Sequence, residues 1–333
     1  MQRKLLTTVL AAAALVGTAL GAAAADTVVI GYQTTIDPAK VAQVDGLYEK
    51  EFGRPVEWWK FDSGADVIAA IVGGSLDIGF VGSSPLAVAA SNKVPIETFF
   101  IADRIGDAEQ LVVRNGSGIE TPEDLVGKTI AVPFVSTTHY SLLAALKHWG
   151  IDPKAVKIVN ARPPEIAAAW GRGNIDAAYV WEPALGVIKE SGKVFVSSAE
   201  VGQWGAPTFD AWIVRKDFAA ENPAIVAGFA KVTGTAYAAY LADPTAWLAD
   251  EANIDKIANL TGAKPEDVPV ALAGYFFPTL AEQVSPAYLG GDTIKAIVAT
   301  AEFLKEQGKI PEVLADYRPY VNLAYAKEGA ETN

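Results

Sequence analysis

Apolar and polar positions along this chain follow one pattern twice. Residues 68–85 read IAAIVGGSLDIGFVGSSP, and residues 166–183 read IAAAWGRGNIDAAYVWEP. Both open on Ile-Ala-Ala, the tail of a helix. A Gly follows, with an Asp three residues later: Gly74 and Asp77, then Gly173 and Asp176. Each Asp leads into a short apolar run ending at Val81 or Val180, and a polar loop closes at Pro85 or Pro183. The likeness extends upstream. TVVIGY (27–32) and TIAVPF (129–134) are apolar runs of strand length, followed by the polar loops QTTID and VSTTH. Each loop opens a predicted helix, over 38–52 and 139–149. Gly53 and Gly150 end these helices by supplying a left-handed residue. Short strands follow at 56–61 and 156–160. Each copy is β-loop-α-β-loop-α-β-loop.

Such a unit folds as a parallel sheet with helices on its faces, because each crossover must pack back on the sheet. Ligands meet these sheets at the carboxyl edge, where the loops after the strands lie. Two copies predict two α/β lobes, with six loops facing one cleft: 33–36, 62–64, 82–84, 135–138, 162–164 and 181–182. Two further segments look alike, QLVVRN (110–115) and AWIVRK (211–216), and read as the crossings between lobes. Lobe 1 is then residues 26–112 plus 213–333, and lobe 2 is residues 113–212. Two joining strands permit hinged closure. From Pro223 on, apolar stripes such as Ile225, Phe229 and Val232 predict helices packed on lobe 1.

Composition narrows the class. Residues 1–25 read as a secretory signal cut before Asp26, with Arg3 and Lys4, an apolar run over 5–20, and the small residues Ala23 and Ala25. The run is short for a membrane anchor. Removing Arg3 and Lys4 takes the formal charge from −12 to −14. An acidic surface argues against nucleic acid or anionic membranes as partners. The sequence has no Cys, so disulfides, thiol catalysis, Cys-held metals and a lipid-anchored N-terminus are all ruled out. Export without an anchor points to the periplasm and to a free, monomeric protein.

Hydroxyls concentrate in the cleft loops. Ser63 precedes Gly64, Ser83 and Ser84 stand before Pro85, and Ser136, Thr137 and Thr138 open a helix. Pro85 suits the first helical position, with Ser84 as cap. Any one such residue is ordinarily a cap. Three at equivalent loops of a duplicated unit form an anion site, since helix N-termini offer free N–H groups and partial positive charge. Gln33 adds an amide donor. Two carboxylates stand among aromatics: Glu182 beside Tyr179 and Trp181, Asp210 beside Phe209 and Trp212. Carboxylate plus aromatic faces suits an ammonium, and an anion site with a carboxylate at one end suits a zwitterion. Glu182 reads equally as a structural cap. The only histidines, His139 and His148, support no metal motif or triad, although His139 is placed to donate to an anion or to act as the base of a hydrolase.

The strings DSGA (62–65), GSSPLAVAAS (82–91), AVPFVSTTHYSLLAALKHWGI (131–151), AYVWEPA (178–184) and GQWGAPTFDAWIVRKDF (202–218) closely resemble the taurine-binding proteins of taurine ABC transporters. The resemblance spans nearly all of the chain after residue 25. It implies the type II periplasmic-binding-protein fold, two lobes each with a mainly parallel sheet flanked by helices. It also implies taurine as ligand, a membrane permease with its ATPase as partner, and no cofactor or metal. Asp210 corresponds to the aminosulfonate-selecting Asp, whereas close taurine binders carry Ala where this chain has Glu182. A binder of simple alkanesulfonates is the nearest alternative.

Overall fold

The computed structural model describes residues 27–331, so the expected signal at 1–25 lies outside the described residues. The duplicated pattern forms two sheets. The first carries β1 (Val28–Tyr32), β2 (Val56–Lys60), β3 (Ile78–Gly82), β4 (Ile96–Ile105), β10 (Phe209–Arg215) and β11 (Tyr275–Phe276), in the order β11-β4-β10-β3-β1-β2. The second carries β5 (Gln110–Arg114), β6 (Thr129–Val132), β7 (Lys157–Asn160), β8 (Ala177–Val180) and β9 (Gly192–Ser197), in the order β7-β6-β8-β5-β9. In each, the first three strands of the repeat run parallel and a fourth strand lies antiparallel beside the third. Helices cover both faces, which is why the central strands read as unbroken apolar runs.

The repeated residues have one job in both copies. Asp77 Oδ2 accepts from the Val29 N–H at 2.9 Å, and Asp176 Oδ2 accepts from Thr129 at 2.8 Å, each fixing the start of a first strand. Gly74 and Gly173 hold φ of 72° and 74°, the left-handed turn that brings the chain back to that strand. The helices of the repeats are α1 (Ala39–Val44), α2 (Leu47–Phe52), α3 (Gly64–Val72), α4 (Ser83–Ser91), α5 (Thr137–His148), α6 (Pro163–Gly171), α7 (Ala184–Lys189) and α8 (Ser198–Gln203). The helix expected over 38–52 is two, broken at Gly46, whose φ is 66°.

The crossings differ from the sequence reading. Residues 110–114 belong wholly to the second sheet, between β8 and β9, and residues 209–215 wholly to the first, between β3 and β4. Boundaries at 112 and 212 would cut both strands. Buried backbone N–H and C=O groups need partners, and β5 and β10 each find theirs on both edges within one sheet. The chain changes lobes earlier, across 106–109 and 204–208. There the Ile105 N–H donates to Thr208 O at 3.0 Å and tethers the two passages side by side. Helix Pro223–Ala242 is long and apolar enough to span a membrane, but Val226, Phe229 and Tyr237 are buried against α1, α2 and β4. It is the core helix of lobe 1. Helix Asp292–Glu306 also packs on lobe 1 and reaches across to α5, with Phe303 edge-on to Tyr140 and Lys147 paired to Glu306.

Candidate functional site

The carboxyl ends of both sheets meet at a small pocket lined by Gln33, Thr35, Gly64, Gly82, Pro85, Glu109, Ser136, Thr137, Trp181 and Asp210. A larger groove of about 1080 Å³ lies elsewhere on lobe 1, between α1, α2 and Pro223–Ala242. Its walls are mostly aliphatic, and it lacks the converging helix ends and buried carboxylates of the smaller pocket.

Three helices point their N-termini at the pocket. At α3, Ser63 is the N-cap: its Oγ accepts from the Asp66 N–H and donates to Asp66 Oδ2 at 2.9 Å. At α5, Ser136 is the N-cap, accepting from the His139 N–H at 3.0 Å. At α4 the expected cap is corrected. Gly82 occupies the N-cap, Ser83 and Ser84 stand inside the first turn, and Pro85 follows them. Both serine hydroxyls are buried with no hydrogen-bond partner.

Glycines bring the lobes together. A Cβ on Gly82 would lie 2.6 Å from Thr137 Cγ2 of lobe 2 and 3.2 Å from Asp210 Oδ1. A Cβ on Gly64 would lie 2.7 Å from Pro85 Cγ. The lobes are shut over the pocket: Thr34 Oγ1 donates to Glu182 O at 3.0 Å, and the Arg162 guanidinium grips Asp66 with two 3.1 Å bonds.

Carboxylates stand beside the helix ends, Asp210 paired with Gly82 in the β3–β10 ladder and Glu109 bonded to Thr137 at the start of α5. Asp210 is buried, with its pKa raised by burial and then by Asp37, against the pull of Lys40. Glu109, on the first passage between lobes, escapes sequence reasoning because one Glu at an interlobe passage carries no motif. Its Oε1 accepts from Thr137 Oγ1 at 2.5 Å, and burial pushes its pKa up to about 8. Gln33 Nε2 donates to Phe80 O at 3.1 Å and turns the amide into the wall.

Six candidates stand outside the lining: Ser63, Ser83 and Ser84 at the helix ends, and Thr138, His139 and Glu182. Thr138 Oγ1 bonds Ser136 Oγ at 2.8 Å. His139 stacks on Phe134, its Nδ1 accepts from the Val135 N–H, and burial lowers its pKa to about 4, which leaves the ring neutral. Glu182 Oε2 accepts from the Gly186 N–H at 2.8 Å, capping α7 in place of lining the pocket. Burial, with Asp267 adding, moves its pKa up to about 7. Trp181, one residue earlier, does line the pocket.

Comparisons with known proteins agree with this geometry. A family described as NMT1/THI5 like matches residues 33–247. The chain is 53% identical over 300 residues to the taurine-binding periplasmic protein of Escherichia coli K12, covering 90% of this chain and 92% of that one. A putative aliphatic sulfonates-binding protein of Bacillus subtilis is 28% identical over 61% of this chain and 62% of its own length. Among solved structures, the alkanesulfonate-binding protein SsuA from Xanthomonas axonopodis superposes with a TM-score of 0.75 at 23% identity, over 89% of this chain and 98% of that one. The desulfurization enzyme DSZB shares the fold at a TM-score of 0.61 and 14% identity, over 92% and 99%. With two sheets of matching order around one interlobe pocket, the chain belongs to the NMT1/THI5-like family.

Proposed function

We propose that this protein captures taurine in the periplasm and hands it to the permease of an ABC importer. The observation that carries the reading is the composition of the pocket. Helix N-termini, hydroxyls and the two buried carboxylates Asp210 and Glu109 meet in one small interlobe site. The sulfonate is held by the N–H groups of α3, α4 and α5, with Ser83, Ser84 and Gln33 as further donors, while Ser63 and Thr137 shape the helix ends through Asp66 and Glu109. The ammonium pairs with Asp210 and Glu109, and Trp181 closes one wall. Thr138 acts indirectly by fixing Ser136. The 53% identity to a taurine-binding protein favours this ligand over a simple alkanesulfonate, for which two buried carboxylates have no use. A hydrolytic role for His139 finds no support, since its ring is stacked, neutral and outside the pocket lining. The test is thermal: a ligand bound only by the folded state raises the melting temperature as its concentration exceeds its Kd. Taurine raises it; no rise at millimolar taurine refutes the reading.

A further inference from the structure

Four carboxylates and one cation are buried at or behind the pocket: Asp37, Asp103, Glu109, Asp210 and Lys40. Lys40 is already engaged, with Nζ 3.5 Å from Asp37 Oδ2 and 4.9 Å from the Tyr32 ring centre. Asp103 stands directly opposite Asp210 in the β4–β10 ladder. Opposed residues of antiparallel strands share a face, and like charges there repel. The Asp103 carboxyl is buried, and the backbone N–H of Asp210 beside it brings no full charge. Glu109 is bonded by the Thr137 and Ser198 hydroxyls, which bring no charge. The other titratable groups that feel this cluster are the buried phenols of Tyr48, Tyr179, Tyr237 and Tyr275.

One engaged lysine cannot neutralise four buried carboxylates, and unpaired charge out of water is heavily penalised. Protons must fill the deficit in the empty pocket. The directions agree: burial raises all four carboxyls, and their mutual repulsion raises Asp103, Glu109 and Asp210 further. We propose that an aminosulfonate enters by proton exchange, its ammonium replacing a proton held between Asp210 and Glu109 while Asp103 keeps its own. The O–H bond of one carboxylic acid breaks, the proton leaves to the solvent, and the new carboxylate pairs with the ammonium. Asp103 touches no ligand; it acts through Asp210 as a neutral neighbour that confines the pocket to the charge one ammonium can match.

The exchange makes selectivity depend on pH. Taurine releases a proton on binding, so its affinity climbs by up to about tenfold per pH unit and levels off above the Glu109 value of about 8. Ethanesulfonate has no ammonium and needs both acids protonated, so its affinity falls as pH rises through the same window.

This inference rests on the taurine reading, and calorimetry separates the two. Titrations in buffers of different ionisation heat, near pH 6.5, count the protons. The expected result is about one proton released per taurine and up to about one taken up per ethanesulfonate. Taurine heats that do not vary with buffer overturn the exchange while leaving the taurine reading intact; no taurine binding at all overturns both. Asp103→Asn keeps a neutral group behind Asp210 and should preserve the release. Loss of the release in that variant would move the proton to Asp103 and refute the assignment. Loss in Glu182→Gln would move it to Glu182 and refute the assignment equally.

Discussion

Replacing Gly82 by Ala tests whether ligand capture depends on closure. The backbone there is extended, with φ −75° and ψ 166°, which alanine adopts freely. The added methyl would stand 2.6 Å from Thr137 Cγ2, a carbon of the opposite lobe, and 3.2 Å from Asp210 Oδ1. The first contact is impossible without movement and exists only when the lobes are shut. Overpacking of this kind costs about 1–3 kcal/mol. Because that cost falls on the closed state, taurine affinity should drop by about 5–150-fold, while the empty protein, free to open, should melt as the wild type does. Titration calorimetry and a melting curve without ligand measure the two quantities. Trimming the facing methyl in the double variant Gly82→Ala/Thr137→Ser should restore most of the affinity. Unchanged affinity in the single variant, or an equal loss of stability without ligand, would refute closure across this contact.

Three further outcomes follow from the same geometry. Ser84→Ala removes a buried hydroxyl with no partner in the empty protein, so stability should hold or rise while taurine affinity falls by about 1–3 kcal/mol, the worth of a hydrogen bond to a charged group; paired melting and titration check this. The empty protein should be less stable at pH 8 than at pH 5. Glu109 and Glu182 bind protons more tightly folded than unfolded, with folded values of about 8 and about 7, so the folded state holds the extra protons below those values and stability falls as pH rises through them. Calorimetric melting reads the sign. Arg162→Ala removes an exposed interlobe ion pair, worth about 0–1 kcal/mol, and should weaken binding by less than about fivefold, with the effect shrinking in high salt.

The repeat is legible in the sequence because its strongest marks are backbone requirements. Gly74 and Gly173 must turn left-handed, and Asp77 and Asp176 must cap a strand start. Such needs recur wherever the unit recurs. Ser63 as a cap is legible for the same reason. Ser84 is misplaced by sequence reasoning because Ser before Pro is a cap signature, and only the turn of the chain at Gly82 reveals that the helix starts earlier. The crossings are misjudged since a buried strand ending in Arg looks the same whether it stays in one sheet or leaves it. Glu109 is invisible because its role depends on Thr137 and Ser198, 28 and 89 residues away in the other lobe's fold. Glu182 looks like a ligand because Trp-Glu-Pro sits at a cleft loop; its carboxylate serves the α7 N–H groups.

The most direct measurement of what the pocket holds is a calorimetric titration of taurine and ethanesulfonate into the wild type and Asp210→Asn at neutral pH. On the proposed reading, the pocket holds both ends of a zwitterion. Taurine should bind one-to-one to the wild type and more tightly than ethanesulfonate. Removing one buried carboxylate leaves the ammonium with Glu109 alone and should cost taurine about 3 kcal/mol, the low end for breaking a buried pair. Ethanesulfonate should lose little or gain, so the preference collapses. Equal affinities in the wild type, or equal losses for the two ligands in the variant, would contradict the claim that Asp210 reads the amine.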